Sequence, residues 1–402
     1  MTDVAAFMTG RISNRAAAIA AAFVVVACTG SSGSGTPTAA TGTPIKVMAT
    51  SPFSGAASIT NYPEMIPAVK ARAAAVNAAG GINGHPIQIE TCDDQTNANL
   101  AANCARQAVT DGVVAVIGAF GLNVTQQLPI LEQAGIPIIG QTTTGPPEAQ
   151  SKIAFPFYTA DANWAGIARA LAQTGCKKLG IVAISASAAS RRFAGLANDA
   201  FSGTGGTTVD TVLVPSSVPD YSPTVAALIG KGADCIAPIL GATEETKFVT
   251  AVKQSGKSIK LAGTTSGLKA TLEPLGSQAD GIMAVNQFHL VVDDVPAVKA
   301  AIAEIKKYQG SDAQLGVGTA AWGTAKVLFE AMKSIKGEVT AASVIDALNK
   351  VSRGVSDFAA PIDFTRPGPD PAQPRAFNWS YLTWTVTSGA FKLTSPGFLA
   401  AK

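Results

Sequence analysis

The sequence predicts an α/β protein made of two doubly wound parallel-sheet lobes joined by a three-crossover hinge. Short apolar runs alternate with helical patterns along the chain, which is typical of parallel sheets with helices on both faces. The alternation starts again after Tyr158, so a second lobe begins before the first is complete. The 402 residues also leave enough chain for two domains of ordinary size once an N-terminal segment is set aside.

The first lobe is predicted from alternating strands and helices that begin at residue 45. A strand at 45–50 precedes an Ala-rich helix over 59–79, which Gly80 and Gly81 end before a turn at Asn83-Gly84. The elements that follow are a strand at 87–91, a helix at 97–111, a strand at 113–118, a helix at 125–135 and a strand at 136–140.

The second lobe repeats this order. Its predicted elements are a helix at 164–175, strand 178–185, helix 191–201, strand 208–215, helix 221–232, strand 234–240, helix 244–256, strand 259–265 and an extended run at 281–289. Helices at 296–309, 318–336 and 341–351 and antiparallel strands within 360–393 complete the chain. We expect crossings near Tyr158, Gln287 and Phe358, with lobe 1 formed by 45–157 plus 288–357 and lobe 2 by 158–287 plus 358–402.

The N-terminus has the pattern of an export signal. Arg11 and Arg15 precede the uncharged apolar run 16–26, which has the length of a signal-peptide core and is too short to span a bilayer. An amphipathic or buried helix is the alternative interpretation. Val25-Val26-Ala27-Cys28 resembles a bacterial lipobox, which implies cleavage after residue 27 and lipidation of Cys28. The Ser/Gly/Thr/Pro-rich stretch to residue 44 would then be a flexible tether to the membrane.

Composition limits the possible partners. Charged residues make up 14% of the chain, the formal net charge is +3 and basic residues form no run, so we expect no nucleic-acid partner. The two histidines, His85 and His289, are far apart in sequence and no CxxC motif occurs, so we expect no metal site and no cofactor.

Four cysteines remain if Cys28 is lipidated, an even number in an exported protein. They allow three pairings, and free buried thiols are the alternative. We predict Cys92–Cys104, because Cys92 closes a strand and Cys104 lies on the helix that folds back over it. We also predict Cys176–Cys235, because both residues lie at the same end of strands that are neighbours in a 2-1-3 sheet.

The order of motifs resembles a known family. The segments "AAVNAAGGINGHPIQIETCDDQTNANLAANCARQAVTDGVVAVIG" (74–118), "LEQAGIPIIG" (131–140), "GTAAWGTAKVLFEAM" (318–332) and "APIDFTRPGPD" (360–370) are similar to type I periplasmic binding proteins, in particular to the branched-chain-amino-acid-binding lipoproteins of ABC importers. The resemblance implies a monomeric two-lobed clamp at the outer face of the cytoplasmic membrane. The lobes would close on a small solute and deliver it to ABC permease subunits.

Ligands of parallel α/β sheets bind at the carboxyl ends of strands, which selects a set of loops. The residues expected to contact the ligand are Phe53, Ser54, Phe120, Gly121, Leu122, Thr142, Thr143, Thr144, Tyr158, Ser187, Arg192, Ala242, Glu244, Thr265 and Phe288. The resemblance places a ligand carboxylate against Phe120, Gly121, Leu122, Thr142 and Thr144. Helix capping is the alternative role for Thr142–Thr144, and it is the role we expect for Asp93-Asp94.

Several classes of ligand fit the sequence, because one group expected for an amino-acid ligand is missing. Amino-acid binders of this family hold the ligand ammonium with an acid from lobe 2, and the corresponding loop, "GTTSGLK" (263–269), has none. Glu244 or Glu245 could replace it, or only complement the helix dipole. Arg191 or Arg192 could pair with a second ligand carboxylate, or lie on a solvated face. Amino acids, organic acids, aromatic acids and amides are therefore all candidate ligands.

Two other functions are alternatives, a serine acyl-enzyme and a ligand sensor. Ser266 and Lys269 satisfy the S-x-x-K pattern of serine acyl-enzymes, but no suitable KTG element accompanies it, and we expect no catalysis. A ligand-sensing lipoprotein with the same fold but no transport role is the closer alternative.

Overall fold

Two β-sheets with helices on both faces organise the chain. The computed structural model describes residues 40–54, 61–118, 123–265, 274–310, 317–352 and 358–402. Each sheet has the strand order of a doubly wound α/β fold, which confirms the predicted fold class of two parallel-sheet lobes.

The first sheet has five strands in the order β2-β1-β3-β4-β6, and every pair is parallel. The strands are β1 (Ile45–Ser51), β2 (Ile87–Asp93), β3 (Ala115–Ile117), β4 (Ile138–Ile139) and β6 (Ala154–Phe155). A short separate pair, β5 (Thr142–Thr143) and β7 (Tyr158–Thr159), lies beyond β4 and β6 along the chain.

Helices cover both faces of the first sheet because alternate strand residues point in opposite directions. The helices are α1 (Met65–Ala78), α2 (Ala98–Asp111), α3 (Val124–Ala134), the short α4 (Pro146–Gln150), α9 (Pro296–Gln309), α10 (Gly318–Lys333) and α11 (Ala341–Leu348). Val47 in β1 packs in a core with α1 and α10, whereas the next residue, Met48, packs in a second core with α2 and α3.

The second sheet has the order β9-β8-β10-β11-β12 with parallel pairing, and β13 joins it antiparallel to β12. Its strands are β8 (Lys178–Ile184), β9 (Thr207–Val214), β10 (Cys235–Ile239), β11 (Lys260–Thr264), β12 (Met283–Asn286), β13 (Ser380–Thr387), β14 (Ala390–Leu393) and β15 (Leu399–Ala400). Its helices are α5 (Ala160–Gln173), α6 (Ala188–Ser202), α7 (Ser222–Gly230) and α8 (Ala242–Gln254). Ile181 packs in a core with α5 and α6, and Val182 packs in another with α7 and α8.

The chain passes between the two sheets three times. It leaves the first sheet after β6, returns after β12, and crosses again before β13. Phe358, Ile362 and Phe364 pack in the core of the first sheet, and their large side chains complete it. Ala359 pairs with Phe288, so the second and third crossings lie side by side there. The predicted lobe boundaries themselves stay a prediction.

Both predicted disulfides are present. The Cα atoms of Cys92 and Cys104 are 5.6 Å apart, and those of Cys176 and Cys235 are 6.0 Å apart. β8 and β10 are parallel neighbours, as the prediction required. Within the described ranges, one group of potential metal ligands occurs, formed by Cys176, Asp234 and Cys235, and its two sulfurs are joined to each other.

Local differences from the predicted elements have physical causes. α1 begins at Met65 and not at residue 59, because Pro63 disfavours helical backbone at Tyr62. Residues 360–379, expected among antiparallel strands, are irregular and rich in proline, which cannot donate to a strand ladder.

Several predicted features lie outside the described residues. They are the signal peptide, Cys28 and the tether up to residue 39, the ligand-site residues Phe120, Gly121 and Leu122, and the pair Ser266 and Lys269. No helix in the described part of the chain combines the length and hydropathy needed to cross a membrane.

Candidate ligand-binding site

The loop after β1 is held by a carboxylate at the end of the neighbouring strand. The backbone N–H of Phe53 donates to Asp93 Oδ1 at 3.1 Å, and the Ser54 hydroxyl donates to Asp93 Oδ2. β1 and β2 are parallel with Ser51 opposite Asp93, so their carboxyl ends lie side by side. Phe53 is half-buried and Ser54 is exposed at this edge. Their contact with a ligand stays a prediction.

Asp93 and Asp94 do not cap α2, so the sequence-based expectation of capping was wrong. Asn97 is the N-cap, and its side-chain oxygen accepts from the backbone N–H groups two and three residues later, at 2.9 and 3.1 Å. The first helical residue is Ala98, which leaves Asp93 and Asp94 too far upstream to reach the helix terminus. Asp93 instead fixes the loop after β1.

Two of the three threonines after β4 use their hydroxyls within the protein. Thr143 is buried, and its hydroxyl donates to the Tyr158 carbonyl at 3.5 Å. The Thr144 hydroxyl donates to Glu148 Oε1 at 3.3 Å, and the same carboxylate caps α4 by accepting from the Gly145 N–H at 3.1 Å. The N-cap of α4 is Gly145 and the capping carboxylate belongs to Glu148, so Thr144 supports the capping group without capping the helix itself. A ligand contact of Thr142, Thr143 or Thr144 stays a prediction.

Aromatic side chains pack together where the chain crosses between sheets. Tyr158 and Phe288 are each 3% exposed, and their ring centroids are 5.0 Å apart. Phe288 also contacts Phe358, with centroids 6.2 Å apart. Burial raises the pKa of the Tyr158 phenol well above its ordinary value, so the group is neutral at physiological pH. Tyr158 and Phe288 thus flank the crossings, as predicted, and contact each other there.

Gln287 joins two of the crossings through hydrogen bonds to backbone. The Thr159 N–H donates to Gln287 Oε1 at 3.0 Å, and Gln287 Nε2 donates to the Thr159 carbonyl. Nε2 also donates to Asn163 Oδ1 at 3.3 Å. The buried side-chain amide therefore pairs with Thr159 as a strand residue would. This arrangement fixes the position of one crossing relative to another.

Arg192, on α6, bridges elements from both sides of the first crossing. Its Nη1 lies 2.5 Å from Asp161 Oδ1, and its Nη2 donates to the Thr144 carbonyl at 2.6 Å. The Asp161 side chain is 1% exposed and also accepts from Gln373 Nε2 at 2.7 Å. The guanidinium is thus committed to protein partners. A role of Arg192 toward a ligand carboxylate stays a prediction.

The remaining predicted residues lie at the carboxyl edge of the second sheet. Ser187 caps α6 by accepting from the Ser190 N–H at 3.1 Å, and Thr265 is buried directly after β11. Ala242 begins α8, but its side chain lies outside what the structure describes.

Glu244 and Glu245 lie in the first turn of α8 and differ in their surroundings. Glu244 accepts from the Val218 N–H at 2.9 Å, from the Tyr221 hydroxyl at 3.0 Å and from Lys247 at 2.7 Å. Burial acts to raise the pKa of Glu244, but these hydrogen bonds together hold it below its ordinary value. Glu245 is 3% exposed, its Oε1 has no partner among the described residues, and burial raises its pKa to about 8. One acid is therefore ionised but engaged, and the other is mostly uncharged at neutral pH.

Comparison with known proteins identifies the family. The sequence profile described as "Periplasmic binding protein" matches residues 44–384, which includes strands of both sheets. The chain belongs to the periplasmic binding protein family. The family resemblance inferred from the sequence is thereby confirmed. No curated protein matches the sequence significantly.

Solved structures of other periplasmic binding proteins have the same fold. A solute-binding protein of an ABC transporter from R. palustris, in complex with 4-hydroxybenzoate, is 20% identical with a TM-score of 0.73, over 89% of this chain and 97% of that one. A possible leucine/isoleucine/valine-binding protein from Rhodopirellula baltica SH 1 is 16% identical with a TM-score of 0.74, over 89% and 98%. A branched-chain amino acid transporter substrate-binding protein from Streptococcus pneumoniae, in complex with isoleucine, is 17% identical with a TM-score of 0.70, over 89% and 99%.

In this binding protein, the carboxyl edge of the first sheet also holds buried polar atoms outside the set of residues expected to contact the ligand. Gln141 follows β4, is fully buried, and neither side-chain amide atom has a hydrogen-bond partner among the described residues. Two buried hydroxyls also have no hydrogen-bond partner among the described residues, those of Thr50 at the end of β1 and of Thr319 at the start of α10. Buried polar groups are normally satisfied, so these atoms are candidates to bind water or a ligand. The sequence places Gln141 in the selected loop directly after the apolar run "IPIIG", but it does not predict that the side chain is buried.

Proposed function

We propose that this protein is the solute-binding component of an ABC importer. It captures a small carboxylate-bearing solute between its lobes by closure and delivers the solute to a membrane permease. The main support is the family match over residues 44–384, because members of the family are solute-binding proteins and not enzymes. Ligand-driven closure requires that the solute bind the closed state more tightly than the open one.

The state of the two acids at the start of α8 supports a ligand without an ammonium group. Glu244 already accepts three hydrogen bonds, and Glu245 is mostly uncharged at neutral pH. Neither offers a free negative charge to a cationic group of the ligand. Among the relatives, the R. palustris protein is in complex with 4-hydroxybenzoate, an aromatic acid without an ammonium. We therefore place aromatic and other simple organic acids ahead of amino acids.

A thermal-shift screen tests this proposal. Hydroxybenzoates, branched-chain amino acids and dicarboxylates would be compared, each with its amide as a matched control that lacks the carboxylate charge. A ligand present at about 100 times its dissociation constant adds about 2.7 kcal/mol of apparent stability. The proposal predicts a shift with an aromatic acid and none with its amide. A shift with leucine or isoleucine alone would contradict the preference for acids without an ammonium, and no shift with any solute would contradict the capture of a small carboxylate.

We further propose that the protein is exported and held by lipid on Cys28. The supporting pattern is the apolar run 16–26 followed by Val-Val-Ala-Cys. In a bacterial host, the Cys28→Ala variant should lose incorporation of labelled fatty acid and leave the membrane fraction, because more than one acyl chain is needed for stable anchoring. Unchanged fatty-acid labelling of Cys28→Ala would show that the lipid, if any, is elsewhere.

A further inference from the structure

A pocket of about 300 Å³ lies at the amino-terminal edge of the second sheet, at the opposite end of the strands from the candidate ligand site. It is formed by the end of α5, the residues before β8 and strand β15. Its volume is at the lower end of the range for small-molecule sites. Nothing in the proposed function uses it.

The charged groups that line this pocket are all cationic. They are the Arg169 guanidinium and the Lys177 ammonium, and no acidic residue joins them in the wall. Arg169 Nε donates to the Ala401 carbonyl at 3.0 Å, which orients the guanidinium, and in the described part of the chain no ion pair engages its two Nη groups. The nearby acid Asp234 lies outside the wall, and it accepts hydrogen bonds from the Lys177 and Lys178 backbone N–H groups at 3.1 and 2.9 Å.

The rest of the lining combines hydrogen-bonding groups with apolar surface. Tyr381 is 1% exposed, and its hydroxyl shares a hydrogen bond with the Gln173 side chain. Burial raises the pKa of the Tyr381 phenol, while the Arg169 charge and the Gln173 hydrogen bond act in the opposite direction, which places the three groups together. Ala172 and Leu399 supply the apolar part of the wall.

We propose that this pocket is a second binding site, for a small anion, separate from the site of the transported solute. A carboxylate or phosphate group binds between the Arg169 guanidinium and the Lys177 ammonium, since both donate to anionic oxygen. A short apolar portion of the anion lies against Ala172 and Leu399. The inference does not depend on the proposed transport function, because the residues involved are all at the far edge of the sheet.

Fluorine NMR provides a local test. The chain has five tyrosines, so the full chain labelled with 3-fluorotyrosine gives five resonances, and the Tyr381→Phe variant assigns the one in the pocket. Benzoate and inorganic phosphate are titrated separately at constant ionic strength set with chloride. We expect the Tyr381 resonance to shift to saturation with at least one of them. Tyr158, at the crossings, reports separately on the candidate ligand site, so failure of one proposal is distinguishable from failure of the other.

Adjacent lysines supply a matched pair of variants. Lys177 lines the pocket, whereas Lys178 is the next residue, is also exposed and does not line it. Lys177→Gln should raise the concentration for half-saturation about fivefold, as expected for loss of one partly exposed charge contact. Lys178→Gln removes the same charge and should change it less than about twofold. A Tyr381 resonance that stays fixed with both probes, or equal effects of the two substitutions, would overturn the proposal.

Discussion

At the scale of single residues, the buried carboxylate of Asp161 explains the role of Arg192, which is to supply the cation that this carboxylate needs. Two side chains satisfy it, Arg192 at 2.5 Å and Gln373 at 2.7 Å. A buried carboxylate that loses its cationic partner is costly, whereas an exposed arginine contributes little. The neighbouring Arg191 is exposed and donates to the Ser185 carbonyl alone among the described residues. The two arginines therefore form a natural comparison.

We predict that Arg192→Gln lowers the free energy of unfolding by about 1–3 kcal/mol, since Asp161 keeps one of its two partners. Arg191→Gln should change it by less than about 0.5 kcal/mol. Urea unfolding of the ligand-free variants measures both. If Arg192 served only to bind a ligand, Arg192→Gln would leave stability unchanged and lower ligand affinity alone, which is the outcome that would contradict this assignment.

A second prediction concerns Glu245 and pH. Its pKa rises from 4.5 to about 8 on folding, so between these values the folded state binds more protons than the unfolded state. Stability should therefore fall as pH rises through this window, by at most about 1.4 kcal/mol per pH unit. Glu245→Gln cannot titrate and should lack this fall. Urea unfolding at pH 5, 6, 7 and 8 measures the free energy of unfolding of both proteins. If the difference in this free energy between wild type and variant is constant with pH, the raised pKa of Glu245 is contradicted.

Single-residue roles were the part of the site that sequence predicted least well. Thr144, Ser187 and Glu244 are in the predicted loops, but hydrogen bonds to Glu148, the Ser190 N–H and Tyr221 already occupy them. Such contacts depend on side-chain direction in three dimensions, which residue type and spacing do not fix. Gln141 lies in one of the loops selected from the sequence, but residue type and spacing did not predict the burial that distinguishes it from other loop glutamines.

At the scale of elements, α5 connects the crossings to the rest of the second sheet. Its first turn carries Asp161, and in its middle Gly166 lies against Tyr381 of β13. A Cβ at Gly166 would be 2.8 Å from Tyr381 Cγ, which is too close for unshifted packing. Gly195, in the middle of α6, has open space where a Cβ would lie.

We predict opposite effects for the two helical glycines. Gly166→Ala should destabilise by about 1–3 kcal/mol, because the ring of Tyr381 or the whole helix must shift. Gly195→Ala should stabilise by about 0.5–1 kcal/mol through the higher helix propensity of alanine. The urea concentration at the midpoint of unfolding measures both effects. If the two variants shift this midpoint equally and in the same direction, the α5–β13 contact is not tight.

Element order was predictable because it rests on strong periodic signals. Continuous apolar runs such as "KLGIVAI" become strands buried on both faces, and the helices between them follow from the need to cover those faces. The two-residue strands β5 and β7 and the five-residue helix α4 were not predicted. Elements of this length carry too few residues for any periodic pattern, and tertiary contacts such as the pairing of Thr142 with Tyr158 determine them.

At the scale of the whole molecule, three chain crossings join two sheets, each with a core on both of its faces. Gln287 ties one crossing to another through Thr159, and Tyr158, Phe288 and Phe358 pack around them. We expect the proposed lobe closure to turn about these contacts, as hinged binding proteins do. The restart of the strand–helix pattern before the first lobe is complete predicted three crossings.

Closure of the lobes around the solute can be measured by small-angle X-ray scattering of the purified protein, with and without a saturating aromatic acid found by the thermal-shift screen. We expect a smaller radius of gyration with the acid, and no change with the corresponding amide at the same concentration. Saturating binding of the acid with an unchanged scattering profile would contradict closure of the lobes around the solute.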